Sequence, residues 1–168
     1  MGKDFVVCDL ETTGLSPLGD DIVEIGLVKI QKGKITDTYT TLVKHNKPLP
    51  LRISRITGLK EGDFIDSPSL DLVMPKVLSF IGDFPLIGHN VKFDADFLNA
   101  NLSDELQNTL LDTLELSRLL YPMANSYRLG KMCEEVGVET KPSHRALEDA
   151  IATAELFLKL TDKLNKFD

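Results

Sequence analysis

The chain lacks the features that would tie it to a membrane or an oxidising compartment, or to nucleic acid by charge alone. None of its 168 residues lie in an apolar run near the ~20 needed to cross a bilayer. The start, MGKDFVVCDL, leads straight into a predicted strand and leaves no room for a signal peptide. Met1-Gly2 does not make a myristoylation site, because position 6 is Val6 rather than Ser or Thr. Cysteine occurs only as Cys8 and Cys133, scattered and without metal-ligand spacing. They read as buried thiols of a reducing, cytoplasmic compartment. A basic surplus is missing too: 19 Lys and Arg face 26 Asp and Glu, a net charge of −7. Nucleic-acid binders often carry the opposite sign. Repeats, low-complexity segments and linkers are absent, so residues 1–168 read as a single domain with chain enough for a core.

What is present is a set of acids in unusual places. Phe5, Val6, Val7, Cys8 and Leu10 form a short apolar run of the kind found inside a sheet. Asp9 and Glu11 interrupt its end at i and i+2, so both project to the same side of a strand. Thr12, Thr13 and Gly14 then turn the chain. Taken alone, the pair reads equally as a turn cap, a partner for a surface lysine, or a cation site.

A second block, GHNVKFDADFL (88–98), follows a short apolar strand. Its helix turns Phe93, Phe97 and Leu98 inward and holds Asp94 in the first turn. Asp96 lies about 200° around the helix from Asp94, at ~100° per residue, so the two cannot serve one site. Asp96 reads as solvated surface; Asp94 alone could be a favourable charge near a helix start. The third block is SHRALEDA (143–150). Leu147, Ala150, Ile151, Ala154 and Leu158 make the apolar stripe of a long helix over 145–163, and Asp149 flanks that stripe. His144 lies just before it and can take a proton from water near neutral pH. By itself, a histidine there is an ordinary surface residue.

Four converging carboxylates repel each other and resist burial, and bound divalent metal is the usual resolution. Two Mg²⁺ or Mn²⁺ ions would cancel their charge and suit phosphodiester cleavage. In order and spacing, D-x-E-T-T-G-L, H-N-x-x-F-D-x-x-F-L and H-x-A-L-x-D-A resemble the DnaQ-like 3′→5′ exonucleases of the DEDDh group, the family of polymerase proofreading subunits and domains. The resemblance covers roughly residues 4–160. Histidine five residues before Asp149 places the chain in the histidine group rather than the tyrosine group, whose last block reads Y-x-x-x-D.

The resemblance implies that Asp9, Glu11, Asp94 and Asp149 hold two divalent ions and that His144 activates the attacking water. A 5′-mononucleotide would leave from the 3′ end of DNA, single-stranded or frayed. It also implies that the backbone at Thr12 and Thr13 meets the terminal nucleotide and that Leu15 wedges against its base. Asn90 and Phe93 would line the same pocket, and Thr57, Gly58 and Leu59 would belong to a loop closing over the strand. Leu15 and Leu59 read equally as core residues, and Gly58 as a simple turn. His89 reads as structural and His45 as surface.

Two further functions compete. Relatives that trim RNA share the blocks, and the ETTGL wording leans towards the proofreading branch. A non-catalytic nucleic-acid-binding or polymerase-associated module would keep the fold, but all five site residues are present. The charge conflict softens if metal offsets the acids and if basic clusters meet phosphates: Lys44, Lys47, Arg52, Arg55 and Lys60; Arg128 and Lys131; Lys141 and Arg145. Binding would then be weak and salt-dependent. Such a protein suits frayed ends or relies on a polymerase or other replication partner to hold DNA. The tail by which proofreading subunits often bind polymerase does not follow the last helix, which leaves a stand-alone enzyme, a subunit using another surface, or an excised domain.

The pattern predicts strands near 4–10, 22–31, 34–43, 85–88 and 109–111. Helices are expected near 69–83, 91–101, 113–121, 127–136 and 145–163, with Asp112 as an N-cap, a Pro-rich loop at 48–50 and the segment ISRITGLKEGD (53–63) as a loop. Hairpin-linked strands followed by strands alternating with helices give an α/β fold. It is a mixed five-stranded sheet flanked by helices, matching the ribonuclease H-like fold that the resemblance implies.

Overall fold

The computed structural model describes residues 4–167. Met1 and Gly2, excluded above as an acylation site, lie outside the described residues. Five strands form one sheet: β1 (Phe5–Thr12), β2 (Ile22–Gln31), β3 (Lys34–Leu42), β4 (Leu86–Gly88) and β5 (Leu110–Asp112), in the order β3-β2-β1-β4-β5. β1, β2 and β3 pair antiparallel, while β4 and β5 run parallel to β1. The sheet is therefore mixed, as the sequence predicts. Lys32 and Gly33 both take positive φ, the geometry that a tight hairpin between β2 and β3 demands.

Alternation along β1 assigns the two faces of the sheet. Val6, Cys8 and Leu10 pack in one cluster with α2 (Leu70–Ile81) and α3 (Val91–Asn99), through Val73, Val77, Phe97 and Leu98. Phe5 and Val7 face the other way, onto Ala150, Ala154 and Phe157 of α6 (Ala146–Leu164). Small alanines let α6 approach the strands closely, and Phe157 sets its ring edge-on to Phe5 at 4.9 Å. Burying one such ring contributes about 1.5–3 kcal/mol. Behind α6, α4 (Thr113–Leu120) and α5 (Leu129–Val136) add a third cluster around Met132, Cys133, Leu156 and Leu160. Asp112 caps α4 by accepting from the Leu114 amide.

The stretch read as loops at 48–50 and 53–63 instead holds a helix, α1 (Leu51–Thr57), and a 3₁₀ turn, Glu61–Phe64. α1 begins after Pro50 without a side-chain cap and ends at Gly58 in the left-handed region. His45 is also not a surface residue. Its side chain is 3% exposed and lies edge-on to Phe64, with Nε2 3.1 Å from Glu61 Oε2. It joins the chain after β3 to the 3₁₀ turn. His89 is structural as expected: Nε2 donates to the Tyr127 carbonyl, Nδ1 meets the Thr113 hydroxyl, and burial holds the imidazole below its ordinary range. No helix among the described residues is long and apolar enough to cross a membrane.

Candidate active site

β1 and β4 are parallel, so their C-terminal ends open on one edge of the sheet. Crevices at such edges are where open α/β sheets bind ligands. On β1 the face begun by Phe5 and Val7 continues as Asp9 and Glu11. The stripe that packs on α6 thus turns acidic at the strand's mouth, beside the first turns of that helix. Asp149, one turn into α6, completes a cluster: one oxygen from each of Asp9, Glu11 and Asp149 lies within 4.8 Å of the others. Among the described residues, no lysine or arginine pairs with any of the three.

Asp94 arrives from the other layer. Gly88 packs against Val91 at the β4–α3 turn, where a Cβ would be tight. Asn90 follows at φ 70°, its amide bonded to Asp112, and α3 starts at once. Asp94 is buried, and its Oδ1 accepts from the Leu10 amide of β1 at 3.0 Å. The four acids are therefore divided. Three form the cluster, and the fourth stands beside Asp9 with one oxygen held by backbone. Asp96 lies on the solvent side, paired with Lys92.

Burial, with neighbouring acids adding to it, pushes all four carboxyls towards their protonated forms. Desolvation raises Asp9 well above the carboxylate range, and Asp94, Glu11, Asp149 and Glu24 add to it. Glu11 is pushed up to about 8 by burial first and then by Asp149, Glu24 and Asp94, with Arg52 opposing. Asp94 is raised by burial, against the Leu10 hydrogen bond. Asp149 is raised to about 6, chiefly by burial, with His144 pulling it down. Asp9 Oδ2 is buried and makes no hydrogen bond. An unpartnered buried carboxylate oxygen is expensive. The all-oxygen donor set and that orphaned atom fit a hard divalent cation.

His144 is exposed and takes φ 48°, in the left-handed region that non-glycine residues seldom adopt. Such a conformation persists where its neighbours are fixed. Here they are. Glu24 of β2, 1% exposed and opposite Glu11 in register, accepts four hydrogen bonds from the start of α6. Arg145 Nε and Nη2 supply three, the shortest 2.6 Å, and the Ala146 amide supplies the fourth at 2.7 Å. Gly26 lets the Ala146 backbone lie directly on β2, where any Cβ would collide with it. Sequence reasoning missed Glu24. Its signal was an acid inside the apolar run IVEIGLVKI. Arg145, placed by sequence among basic residues that either meet phosphates or face solvent, is engaged here with Glu24 instead.

The residues expected to meet a nucleotide occupy the rim. The Thr12 hydroxyl donates to Gly14 O. The Thr13 hydroxyl donates to Asp20 and accepts from the Asp21 amide. Both hydroxyls are committed to the loop. Leu15 is 80% exposed, whereas Leu59 is 4% exposed and packs with Val23 and Phe64. Of the two readings left open for each, Leu15 takes the solvent-facing one and Leu59 the core one. Asn90 is exposed, and Phe93 is half-buried against Phe97 at 4.9 Å. Arg52 on α1 is exposed, and its charge is felt at Glu11.

Known proteins resemble this chain in sequence and fold. The chain is 44% identical over 166 residues to DNA polymerase III PolC-type of Caldanaerobacter subterraneus subsp. tengcongensis, covering 97% of this chain and 12% of that protein. It thus spans about an eighth of the length of that relative. It is 35% identical over 164 residues to DNA polymerase III subunit epsilon of Aquifex aeolicus, covering 95% of this chain and 81% of that one. Among solved structures, Exonuclease X in complex with 5′ overhanging duplex DNA superposes with a TM-score of 0.79 at 28% identity, over 96% of this chain and 93% of that one. Exonuclease I superposes at 0.84 over 98% of this chain and 42% of that one; at 19% identity this likeness shows the fold alone, ribonuclease H-like. The family model for the RNase_T exonucleases matches residues 6–157, and the chain belongs to that family.

Proposed function

We propose that this chain is a metal-dependent 3′→5′ exonuclease unit that releases 5′-mononucleotides from DNA ends, single-stranded or frayed, in proofreading or repair. The observation that carries the proposal is the Asp9–Glu11–Asp149 cluster, within 4.8 Å, with a buried and unpartnered oxygen on Asp9. These three residues, with Asp94 beside them, would hold Mg²⁺ or Mn²⁺. A divalent pair bound there supplies charge neutralisation and Lewis-acid polarisation of the scissile phosphate.

The chain's own residues do the rest. His144 stands beside Asp149 at the open edge and accepts the proton of the attacking water. The new bond joins that water's oxygen to phosphorus, the bond from phosphorus to the 3′-oxygen breaks, and the leaving oxygen ends as a hydroxyl. Backbone at Thr12 and Thr13 seats the terminal nucleotide, and Leu15 stacks on its base. Asn90 and Phe93 wall the pocket, and Arg52 meets a phosphate of the bound strand. Leu59 supports the neighbouring segment from the core. Phosphoryl transfer depends mainly on such positioning and charge compensation. Cys8 and Cys133, both free and buried, suit a cytoplasmic setting. The polymerase relatives, and the duplex DNA held in the Exonuclease X complex, support DNA as substrate and a replication protein as partner.

The test uses a 5′-labelled single-stranded DNA oligomer and its RNA counterpart with Mg²⁺ or Mn²⁺. A ladder shortening from the 3′ end, faster on DNA and lost with EDTA or in Asp9→Ala, is expected. No cleavage by folded protein would overturn the proposal, and faster RNA cleavage would reassign the substrate.

A further inference from the structure

Glu24 and Arg145 are the most heavily bonded charged pair among the described residues, and they join β2 to the start of α6 across 121 positions of sequence. Their place is informative. Glu24 sits opposite Glu11 in the β1–β2 register, and Arg145 directly follows His144. The same carboxylate takes the Ala146 amide, among the first free N–H groups of α6, which no local side chain caps. The fork is planar on both sides, so it fixes direction as well as distance. Gly26, two residues on, removes the side chain that would hold the Ala146 backbone off the strand.

We infer that Glu24 and Arg145 are positioning residues for the reaction, locking the backbone at 144–146 so that His144 keeps its left-handed conformation and stays aimed at the open edge of the sheet. This rests on the reading of His144 as the proton acceptor. A bond that merely stabilised the fold would not need to sit at this joint. Here every residue between the exposed histidine and the helix is held by one buried carboxylate on the strand beside Glu11. With its oxygens filled by four hydrogen bonds, Glu24 also stays out of the neighbouring acid cluster.

The experiment is a double-mutant cycle on DNA cleavage with Arg145→Ala and His144→Ala, measuring kcat and KM for each single and the double, with thermal unfolding as a check of folding. A misaligned general base costs up to roughly 10²-fold in rate. Arg145→Ala is expected to lower kcat by about that factor with KM changed by less than about 3-fold. In the His144→Ala background the same change is expected to cost under about 3-fold, because the group it positions is gone. Arg145→Lys keeps charge and packing but loses the fork. It should fall between wild type and Arg145→Ala, and it replaces alanine in the cycle if that variant does not fold. Equal losses in both backgrounds, or a wild-type kcat in folded Arg145→Ala, would overturn the inference. If wild type cleaves but His144→Ala is fully active, the reading of His144 fails instead, so the two failures are distinguishable.

Discussion

Two carboxylates on neighbouring strands, each with oxygens shut away from water, meet opposite fates. Glu24 on β2 fills its oxygens with four hydrogen bonds from Arg145 and Ala146. Asp9 on β1, half-buried as a residue, encloses its Oδ2 without a partner and faces Glu11 and Asp149. Burying a charge is costly in both places, but only one corner supplies its own cation. The protein thus builds a closed ion pair at one point and, beside it, an acidic corner whose Asp9 oxygen has no partner. The satisfied acid is architecture. The orphaned acid belongs to the proposed metal site.

The comparison can be broken most forcefully at Asp9. Asp9→Asn should lower cleavage by roughly 10³-fold or more, since charge stabilisation by bound metal is worth several kcal/mol. In EDTA the same variant should melt at a higher temperature than wild type, because it removes repulsion from a buried cluster. Thermal scans and cleavage rates on one preparation check both halves. Glu24→Ala should behave in the opposite sense. It strands Arg145 and the Ala146 amide and should cost about 3–5 kcal/mol of stability by urea unfolding, the usual loss when one partner of a buried pair is removed.

A third expectation concerns pH. Glu11 moves from 4.5 to about 8 on folding and Asp149 from 3.8 to about 6, so the folded chain binds protons more tightly than the unfolded one. Stability from these groups is greatest in acid and falls as pH rises from about 4 to about 8. Unfolding in EDTA should show that decline. Mn²⁺ should raise the melting temperature most at the alkaline end, by an amount equivalent to about 2.7 kcal/mol at a hundredfold excess over Kd. Asp96→Ala is the smallest effect. An exposed carboxylate paired with Lys92 should change stability by under about 0.5 kcal/mol and leave cleavage rates alone.

Much of the fold was legible because the elements that build it are strongly patterned. The apolar runs of β1 and β2, the Lys32-Gly33 turn and the apolar stripe of α6 each express one local rule. So does the shared face of Asp9 and Glu11, which follows from the strand's period of two. The readings that failed depend on distant partners. α1 is seven residues long with no capping side chain, and nothing local distinguishes it from a loop. His45 is buried only because Phe64 and Glu61 return beside it. Arg145 reads as a cation for phosphate or solvent because its partner lies 121 residues away. The division of the acids, with Asp94 tied to Leu10, is likewise a matter of three-dimensional packing that no spacing of motifs encodes.

The central claim is that the Asp9 corner is incomplete without a cation, and anomalous diffraction from crystals grown in Mn²⁺ tests it most directly. A manganese peak ligated by Asp9, Glu11 and Asp149 is expected, with Glu24 still bound to Arg145. No peak there at saturating Mn²⁺, or manganese drawn to Glu24 instead, would contradict it.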